Sequence, residues 1–327
     1  MNSPWTWHGG GLAAARAHFG DGPHPWLDLS TGINPHAWPG ASDMAIEWRR
    51  LPEEADLRAL EEAAAAHFGT DPDHVCALPG TEIGLRLTGG ILPGPARYIA
   101  PSYRTHGEIF DEATPVARDK LAIAGDATVI LANPNNPDGR ITERSTLIAM
   151  LERQDRAAWL ILDEAFADAD PAHSMAPYIA DDRRMIVFRS FGKFFGLAGL
   201  RLGFLLGPRP VIAKMRRKLG AWPVSAATIA IGTAAYRDRG WIDGMRARLF
   251  VEAQALDAAL ANSGHDPVGD CPLFRLIETG DAQALFERLA RQAILARPFD
   301  YEPRWLRFGL PGSEAGLARL ASALRHG

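Results

Sequence analysis

Cysteine is scarce in this chain of 327 residues, which contains only Cys76 and Cys271. The two thiols are far apart and lack metal-ligand spacing, which argues against a disulfide scaffold and a zinc site and favours a reducing compartment. The chain also lacks an apolar run near the roughly 20 residues that span a bilayer. Its first residues show neither the basic nor the apolar region of a signal peptide. We therefore predict a soluble cytoplasmic protein.

An excess of one charge is also missing, since the formal net charge is −4 at pH 7. This balance argues against a general nucleic-acid or membrane-surface binder. Small anionic substrates remain compatible with it, because a few buried arginines can act locally. The 47% hydrophobic content excludes disorder as the main state and is enough for a large core. The length predicts about two domains.

Short apolar runs alternate with helical patterns in the first two thirds of the chain. The runs cover residues 75–78, 97–100, 128–132, 158–163, 184–188 and 202–207, and a helix is predicted over 56–68. Most runs are continuously apolar, as strands buried on both faces are. This order predicts an α/β fold with a mainly parallel sheet flanked by helices, in which ligands bind at the carboxyl ends of strands.

The pattern changes near residue 211. Helical stretches are predicted over 211–220, 226–262 and 281–292, with short strand-like runs such as 273–278 between them and a final helix. These features predict a smaller C-terminal α+β domain. We therefore predict an N-terminal arm over 1–40, a large ligand-binding domain over 41–210 and a small domain over 211–327.

Polar residues that could carry chemistry follow the apolar runs. Gly80 and Thr81 come after the first run and open a helical pattern, which could form a phosphate-binding cup or an ordinary turn with a threonine cap. The string Asn-Pro-Asn-Asn-Pro-Asp-Gly over 133–139 forces a turn, from which one Asn amide could reach a ligand. Tyr103 could stack on a planar ligand or simply pack.

Two charged residues stand out after later runs. Asp163 ends an apolar run, and a buried carboxylate needs a partner such as a protonated ring nitrogen, unless it caps a helix. Lys193 lies among aromatic residues, where desolvation lowers the pKa of an amine and makes it a nucleophile that can form a Schiff base. Arg201 follows in a Gly-rich apolar setting and is placed to pair with a phosphate.

The strings NPNNPDG, DEAF and SFGKFFGLAGLRLGF, in this order, resemble the fold-type I superfamily of pyridoxal-phosphate-dependent aminotransferases. The resemblance implies that fold, pyridoxal 5′-phosphate as the cofactor and a homodimer. It implies that Lys193 binds the cofactor covalently and that Asp163 keeps its pyridine nitrogen protonated. The other cofactor-binding residues that it implies are Gly80, Thr81, Glu82 (backbone), Tyr103, Asn136, Ser190 and Arg201.

The two ends of the chain carry a narrower resemblance, to the threonine-phosphate decarboxylase family of cobalamin biosynthesis. The segments His8-Gly9-Gly10, DLSTGINP and ARPFDYEPRWLRFGLP carry it. It implies decarboxylation of L-threonine O-3-phosphate to (R)-1-amino-2-propanol O-2-phosphate. The substrate-binding residues that it implies are His8, Gly9, Gly32, Asn136, Arg297 and Arg307. A substrate with a phosphate and a carboxylate needs at least two fixed cations, although Arg297 and Arg307 could also be surface residues.

The chain departs from its relatives at two instructive positions. Phe166 stands where larger relatives often carry Tyr, and Leu51 stands where relatives carry a Tyr that reaches the cofactor phosphate of the neighbouring subunit. Histidinol-phosphate aminotransferase is the nearest alternative function. A non-enzymatic ligand sensor is the other, and it predicts a basic helix-turn-helix pattern that the sequence does not show before residue 80.

Overall fold

The computed structural model describes residues 4–22, 24–123, 127–153 and 157–325. The chain forms two compact units. The terminal unit contains Met1–His36, Pro137–Arg140 and Met245–Gly327, and the central unit contains Ala37–Asn136 and Ile141–Gly244. The predicted division into an arm, a large domain and a small domain stays a proposal.

Strands and helices alternate through much of the chain. The strands are β1 Leu27–Asp28, β2 Val75–Leu78, β3 Ala96–Ala100, β4 Ala113–Ala117, β5 Thr128–Ala132, β6 Leu160–Asp163, β7 Met185–Ser190, β8 Gly203–Leu206, β9 Pro267–Val268, β10 Phe274–Glu278, β11 Ile294–Leu295, β12 Arg297–Pro298 and β13 Trp305–Gly309. The α-helices are α1 Pro4–Trp7, α2 Leu12–Phe19, α3 Glu54–Phe68, α4 Thr81–Thr88, α5 Arg144–Arg153, α6 Phe191–Phe194, α7 Arg209–Leu219, α8 Ala226–Arg237, α9 Arg239–Ala261, α10 Ala282–Arg291 and α11 Glu314–Arg325. Within the described ranges, no helix is long and apolar enough to cross a membrane.

A seven-stranded sheet forms the core of the central unit, in the order β2-β8-β7-β6-β5-β3-β4. The strands from β3 to β7 pair in parallel, and β8 runs antiparallel to both β2 and β7. The mainly parallel sheet is therefore confirmed. The strands β2, β5, β6, β7 and β8 are buried along their whole length, which explains their continuous apolar sequences.

The register of this sheet aligns the carboxyl ends of three neighbouring strands. Ala132 at the end of β5 pairs with Asp163 at the end of β6, and Asp163 pairs with Phe188 in β7. The loop after β5, the turn after β6 and the segment after β7 therefore start at one edge of the sheet, where ligands bind in open α/β folds.

Two of the differences from the sequence prediction have a local physical cause. The stretch 226–262 is not one helix, because Asp238 adopts a ψ of 72° between α8 and α9 and accepts a hydrogen bond from the Trp241 N–H over 3.1 Å. Strand β4 was not predicted from the sequence. It lies at the sheet edge, it is partly exposed, and it contains Pro115, which edge strands tolerate.

The terminal unit contains a four-stranded antiparallel sheet in the order β12-β13-β10-β9. A second, two-stranded sheet pairs β1 in parallel with β11. Helix α10 buries Leu285, Phe286 and Leu289 on one face, and the Phe286 ring lies 5.6 Å from that of Trp5. The segment after β1 lies beside β13, where the Gly309 N–H donates to the Leu29 carbonyl over 2.7 Å.

Candidate active site

Asp163 lies at the carboxyl end of β6 and is buried. One carboxylate oxygen accepts the Ala165 N–H over 3.1 Å, and the other lies 3.0 Å from Nε2 of His106. A carboxylate can only accept, so Nε2 carries the proton of this hydrogen bond. The residues after Asp163 form a turn rather than a helix, so the alternative that Asp163 is a helix cap is wrong. The carboxylate is held in one orientation at the sheet edge.

A buried ionic network ties the turn after β6 to β7. Arg189 donates to Glu164 over 3.0 Å and to Ser174 over 2.9 Å, and it also donates to Asp168. His67 contacts Asp168 over 3.0 Å. Burial raises the pKa of Glu164, and the Arg189 charge opposes this effect. Burial also acts to raise the pKa of Asp168, but Arg189 and His67 outweigh it and hold that pKa well below its usual range.

Lys193 lies on the short helix α6, directly after β7. Its Nζ lies 5.7 Å from the ring centroid of Phe166, in the turn after β6. Phe191 and Phe195 stack at 4.4 Å and are fully buried. The aromatic ring beside the amine is therefore that of Phe166, while Phe191 and Phe195 pack against each other in the same segment.

The predicted phosphate cup gathers at the start of α4. Gly80 has a φ of +88°, and a Cβ at this position would lie 2.5 Å from Nη2 of Arg201. A Cβ on Gly203 would lie 2.7 Å from the Thr81 nitrogen, and Gly203 pairs with Ser190 across β7 and β8. Gly80, and not Thr81, is the N-cap of α4, so the threonine-cap alternative is wrong. The N–H groups at this helix start can bind an anion beside the arginine.

Tyr103 is oriented by the side chain of Glu82. The phenol donates to Glu82 over 3.0 Å, and Glu82 also accepts from Thr105 over 2.9 Å and from Arg86 over 2.6 Å. Burial, then the Glu82 charge, raises the pKa of Tyr103 to about 12. The Tyr103 ring stands edge-on to that of His106, with centroids 5.9 Å apart. The aromatic face, the imidazole and Asp163 thus form one continuous set of contacts.

Two of the three asparagines after β5 hold the loop itself. Asn133 donates to the Thr142 carbonyl over 3.0 Å and accepts the Thr142 N–H over 2.8 Å. Asn135 donates to the Pro101 carbonyl over 3.1 Å. Asn136 is partly exposed. Asn136 is thus the most exposed of the three, and its role as the ligand-binding amide stays a prediction.

The terminal unit contains the predicted arginine pair. Arg297 and Arg307 are directly paired residues of β12 and β13, so their side chains share one face of the sheet. Arg307 is 2% exposed and lies 4.7 Å from the Phe274 ring centroid. Burial and the charge of Arg297 lower the pKa of Arg307 well below its usual value. The alternative that both are surface residues is wrong for Arg307.

Of the predicted residues of the N-terminal segment, Gly9 lies closest to the Ser30 carbonyl. His8 is exposed, and a Cβ on Gly9 would lie 2.4 Å from the Ser30 carbonyl oxygen. The same oxygen accepts a hydrogen bond from Nη2 of Arg307 over 3.0 Å. Gly32 is buried two residues further along. Within the terminal unit, Gly9 thus lies close to the same Ser30 carbonyl oxygen that Arg307 binds.

Sequence reasoning missed three side chains in these sites: His106, Glu82 with its carboxylate, and Ser30. A histidine three residues after Tyr103 was a usable signal, because both lie in the loop that follows β3. Glu82 was predicted for its backbone alone. In the part of the chain described by the structure, no group of three or more His, Cys, Asp or Glu residues could hold a metal ion.

Residues 117–324 match the family of class I and II aminotransferases. The chain belongs to this family. Over 99% of its length it is 41% identical to a threonine-phosphate decarboxylase of Sinorhizobium sp, covering 98% of that protein. It is 38% identical to one of Pseudomonas aeruginosa, with 97% and 96% of the two chains covered.

The histidinol-phosphate aminotransferase of Sinorhizobium meliloti, solved in complex with pyridoxal 5′-phosphate, has a similar structure. The TM-score is 0.82 at 21% identity, over 97% of this chain and 94% of that one. This likeness and the family match confirm the predicted fold-type I architecture of pyridoxal-phosphate enzymes.

Proposed function

We propose that this family member is a pyridoxal-phosphate-dependent threonine-phosphate decarboxylase. It converts L-threonine O-3-phosphate to (R)-1-amino-2-propanol O-2-phosphate and CO2 in cobalamin biosynthesis. The near full-length similarity to two threonine-phosphate decarboxylases carries the proposal. The paired Arg297 and Arg307 support it, because two like charges on one sheet face favour a ligand with two anionic groups.

The central unit fits the cofactor. The amine of Lys193 lies next to the ring of Phe166, at the sheet edge that Asp163 and the start of α4 share. The close approach of Gly80 to Arg201 leaves backbone N–H groups and a guanidinium for a phosphate. Tyr103 would stack on the ring, and Asn136 would donate to its hydroxyl. Thr81, Glu82 and Ser190 would complete the phosphate site.

Pyridoxal phosphate, when bound, supplies an electron sink for the bond that breaks. The role of Asp163 is to keep a negative charge next to the ring nitrogen, and His106 and the Ala165 N–H hold that charge in place. Lys193 would supply the amine that anchors the cofactor. Once this amine is released and carries a proton, either it or solvent would donate the proton that replaces CO2 on the substrate carbon. Lys193 must be neutral to act as the nucleophile.

Substrate orientation decides which bond breaks. Arg297, Arg307, His8, Gly9 and Gly32 would hold the substrate through its carboxylate and through its phosphate, which lies away from the reacting carbon. Binding energy from these groups would fix the orientation of the substrate, so that the bond from the α-carbon to the carboxylate would be the one that breaks. An aminotransferase would instead present the α-hydrogen.

The proposal includes a cytoplasmic homodimer. The most exposed large apolar side chains of the central unit, as far as the structure describes it, are Trp48 (74%), Leu51 (61%) and Trp222 (59%). A partner subunit would cover such residues, since exposed apolar groups of this size often mark protein contacts. Sedimentation of the purified protein tests this part, and a monomer at micromolar concentration would overturn it.

The reaction is tested with purified protein, pyridoxal phosphate and L-threonine O-3-phosphate. We expect CO2 and the amino-propanol phosphate without any 2-oxo acid in the assay. Transfer of the amino group of histidinol phosphate to 2-oxoglutarate, with glutamate formed and no CO2 released, would instead identify a histidinol-phosphate aminotransferase.

A further inference from the structure

Ser30 lies where the N-terminal segment meets β13 in the terminal unit, and it is 2% exposed. Its hydroxyl donates to Oδ1 of Asp28 over 2.6 Å and accepts the Gly10 N–H over 2.8 Å. Its carbonyl accepts from Nη2 of Arg307 over 3.0 Å. On the basis of the proposed function, we infer that Ser30, oriented by Asp28, is a positioning residue for the substrate-binding groups.

The direction of the Ser30 hydroxyl follows from its chemistry. A serine hydroxyl can donate one hydrogen bond, and the Asp28 carboxylate accepts it. Asp28 also accepts the Ser30 N–H over 2.9 Å, so the carboxylate binds both the hydroxyl and the backbone N–H of this residue. The oxygen lone pairs then face Gly10, and the hydroxyl acts as a pure acceptor for that N–H. Removing Asp28 would free the hydroxyl to turn.

The turn that Ser30 holds depends on glycine. Gly10 has a φ of +92°, a conformation that other residues rarely adopt. Gly9 lies so close to the Ser30 carbonyl that a Cβ would sit 2.4 Å from its oxygen. The hydrogen bond from the Gly10 N–H to the Ser30 hydroxyl therefore fixes the chain that carries His8 and Gly9 to Ser30, whose carbonyl also binds Arg307.

The backbone around Ser30 is fixed on both sides. Leu27 and Asp28 pair with Ile294 and Leu295 in β11. The Leu29 N–H donates to the Leu295 carbonyl over 2.7 Å, and its carbonyl accepts from Gly309 over 2.7 Å. The backbone that leads into Ser30 is thus held by hydrogen bonds on both sides, as a residue that positions others requires.

The contact with Arg307 has an electrostatic purpose. Burial and Arg297 disfavour the charge of Arg307, and a carbonyl oxygen on Nη2 partly compensates for this cost. The carbonyl also restricts the orientation of the guanidinium. Ser30 therefore sets the relation between Arg307 and the turn of Gly9, which are the two sides of the proposed substrate site.

Ser30→Ala tests this inference in the holoenzyme. We expect the KM for L-threonine O-3-phosphate to rise by about tenfold while kcat stays within about twofold, because binding groups are misplaced but the chemistry is not. The Kd for pyridoxal phosphate, from an absorbance titration, should not change. A KM within twofold of the wild type, or a parallel loss of cofactor affinity, would overturn the inference.

Ser313→Ala is the matched control. Ser313 is an exposed serine of the same unit, and its hydroxyl accepts the Gly316 N–H over 3.1 Å, so the substitution also removes one hydroxyl and one hydrogen bond to a backbone N–H. It should leave KM and kcat unchanged. An increase in KM equal to that of Ser30→Ala would show a general effect of local stability and would contradict a specific role.

Two substitutions of Asp28 separate positioning from packing. Asp28→Asn keeps an oxygen that can accept from Ser30, so it should raise KM less than Asp28→Ala does. The double variant Asp28→Ala/Ser30→Ala should raise KM by less than the product of the two single effects, since both substitutions remove the same hydroxyl contact. Additive effects on log KM would show that the two residues act independently, against the inference.

A binding measurement without turnover distinguishes this inference from the proposed function. Calorimetry can measure the Kd of L-threonine O-3-phosphate for the Lys193→Ala protein loaded with pyridoxal phosphate, with and without Ser30→Ala. A Kd about tenfold higher with Ser30→Ala supports the positioning role even if the wild type releases no CO2. An equal Kd overturns that role even if the wild type is a decarboxylase.

Discussion

His106 donates a hydrogen bond to Asp163 over 3.0 Å, and both side chains are buried. The Ala165 N–H occupies the other oxygen of the same carboxylate. With one donor on each oxygen, Asp163 keeps its orientation at the end of β6. In the proposed function the ring nitrogen of the cofactor needs a negative charge fixed in this way, and the His106 imidazole supports that charge by a hydrogen bond to the carboxylate.

Replacement of His106 tests this support. His106→Leu removes the donor and leaves a buried carboxylate oxygen with one partner fewer, so we expect kcat to fall by about tenfold or more. His106→Gln retains an N–H donor and should lose less. Steady-state kinetics with a cofactor titration checks this, and equal kcat values for both variants and the wild type would contradict the role of His106.

Arg297 is expected to lower the stability of the fold while it improves substrate binding. Arg297→Gln removes a like charge that faces Arg307, and we expect the free energy of unfolding to rise by about 0.5 kcal/mol. The KM for L-threonine O-3-phosphate should rise at the same time. Urea unfolding at pH 7 measures the change in stability; a loss of stability would contradict it.

Arg189 is expected to be essential for the fold around the site. Arg189→Met leaves Glu164 and Asp168 buried without their cation, and removing one partner of a buried pair costs about 3–5 kcal/mol. Denaturant unfolding of the holoenzyme gives this value. Arg183→Met, which removes an exposed arginine that donates to the Tyr178 carbonyl, serves as the control and should cost less than about 1 kcal/mol. Similar losses in the two variants would refute the network.

Asp168 gives a pH-dependent signature. Its pKa in the folded chain lies below the unfolded value of about 3.9, so the unfolded state binds more protons between the two values. The stability that Asp168 contributes is therefore present above about pH 4 and lost as the pH falls further. The difference in unfolding free energy between the wild type and Asp168→Asn should shrink below that pH. A difference that stays constant from pH 7 to pH 3 would rule out the shift.

Much of the fold was predictable because its strands are buried on both faces. The runs 75–78 and 128–132 coincide with β2 and β5, and helix α3 was predicted to within two residues at its start. The edge strand β4 was not predictable in this way, since its sequence is half exposed and contains Pro115. The break at Asp238 was also hidden, because its Oδ2 is held by Trp38, 200 residues earlier.

The candidate site was predictable where a residue type itself carries chemistry. Asp163 ends β6, Lys193 follows β7 and Arg201 precedes β8, and their charges in apolar sequence demand partners. His106 and Ser30 were not predictable, because their roles come from contacts that close only in the folded chain. His106 lies 57 residues from Asp163, and Ser30 lies 277 residues from Arg307.

The central claim is that Lys193 binds the cofactor covalently. Borohydride reduction of the protein loaded with pyridoxal phosphate, followed by protease digestion and mass spectrometry, tests it directly. We expect the phosphopyridoxyl mass on the peptide that contains Lys193 and its absence from the Lys193→Ala protein. The same mass on another lysine, or on no peptide, would contradict the account.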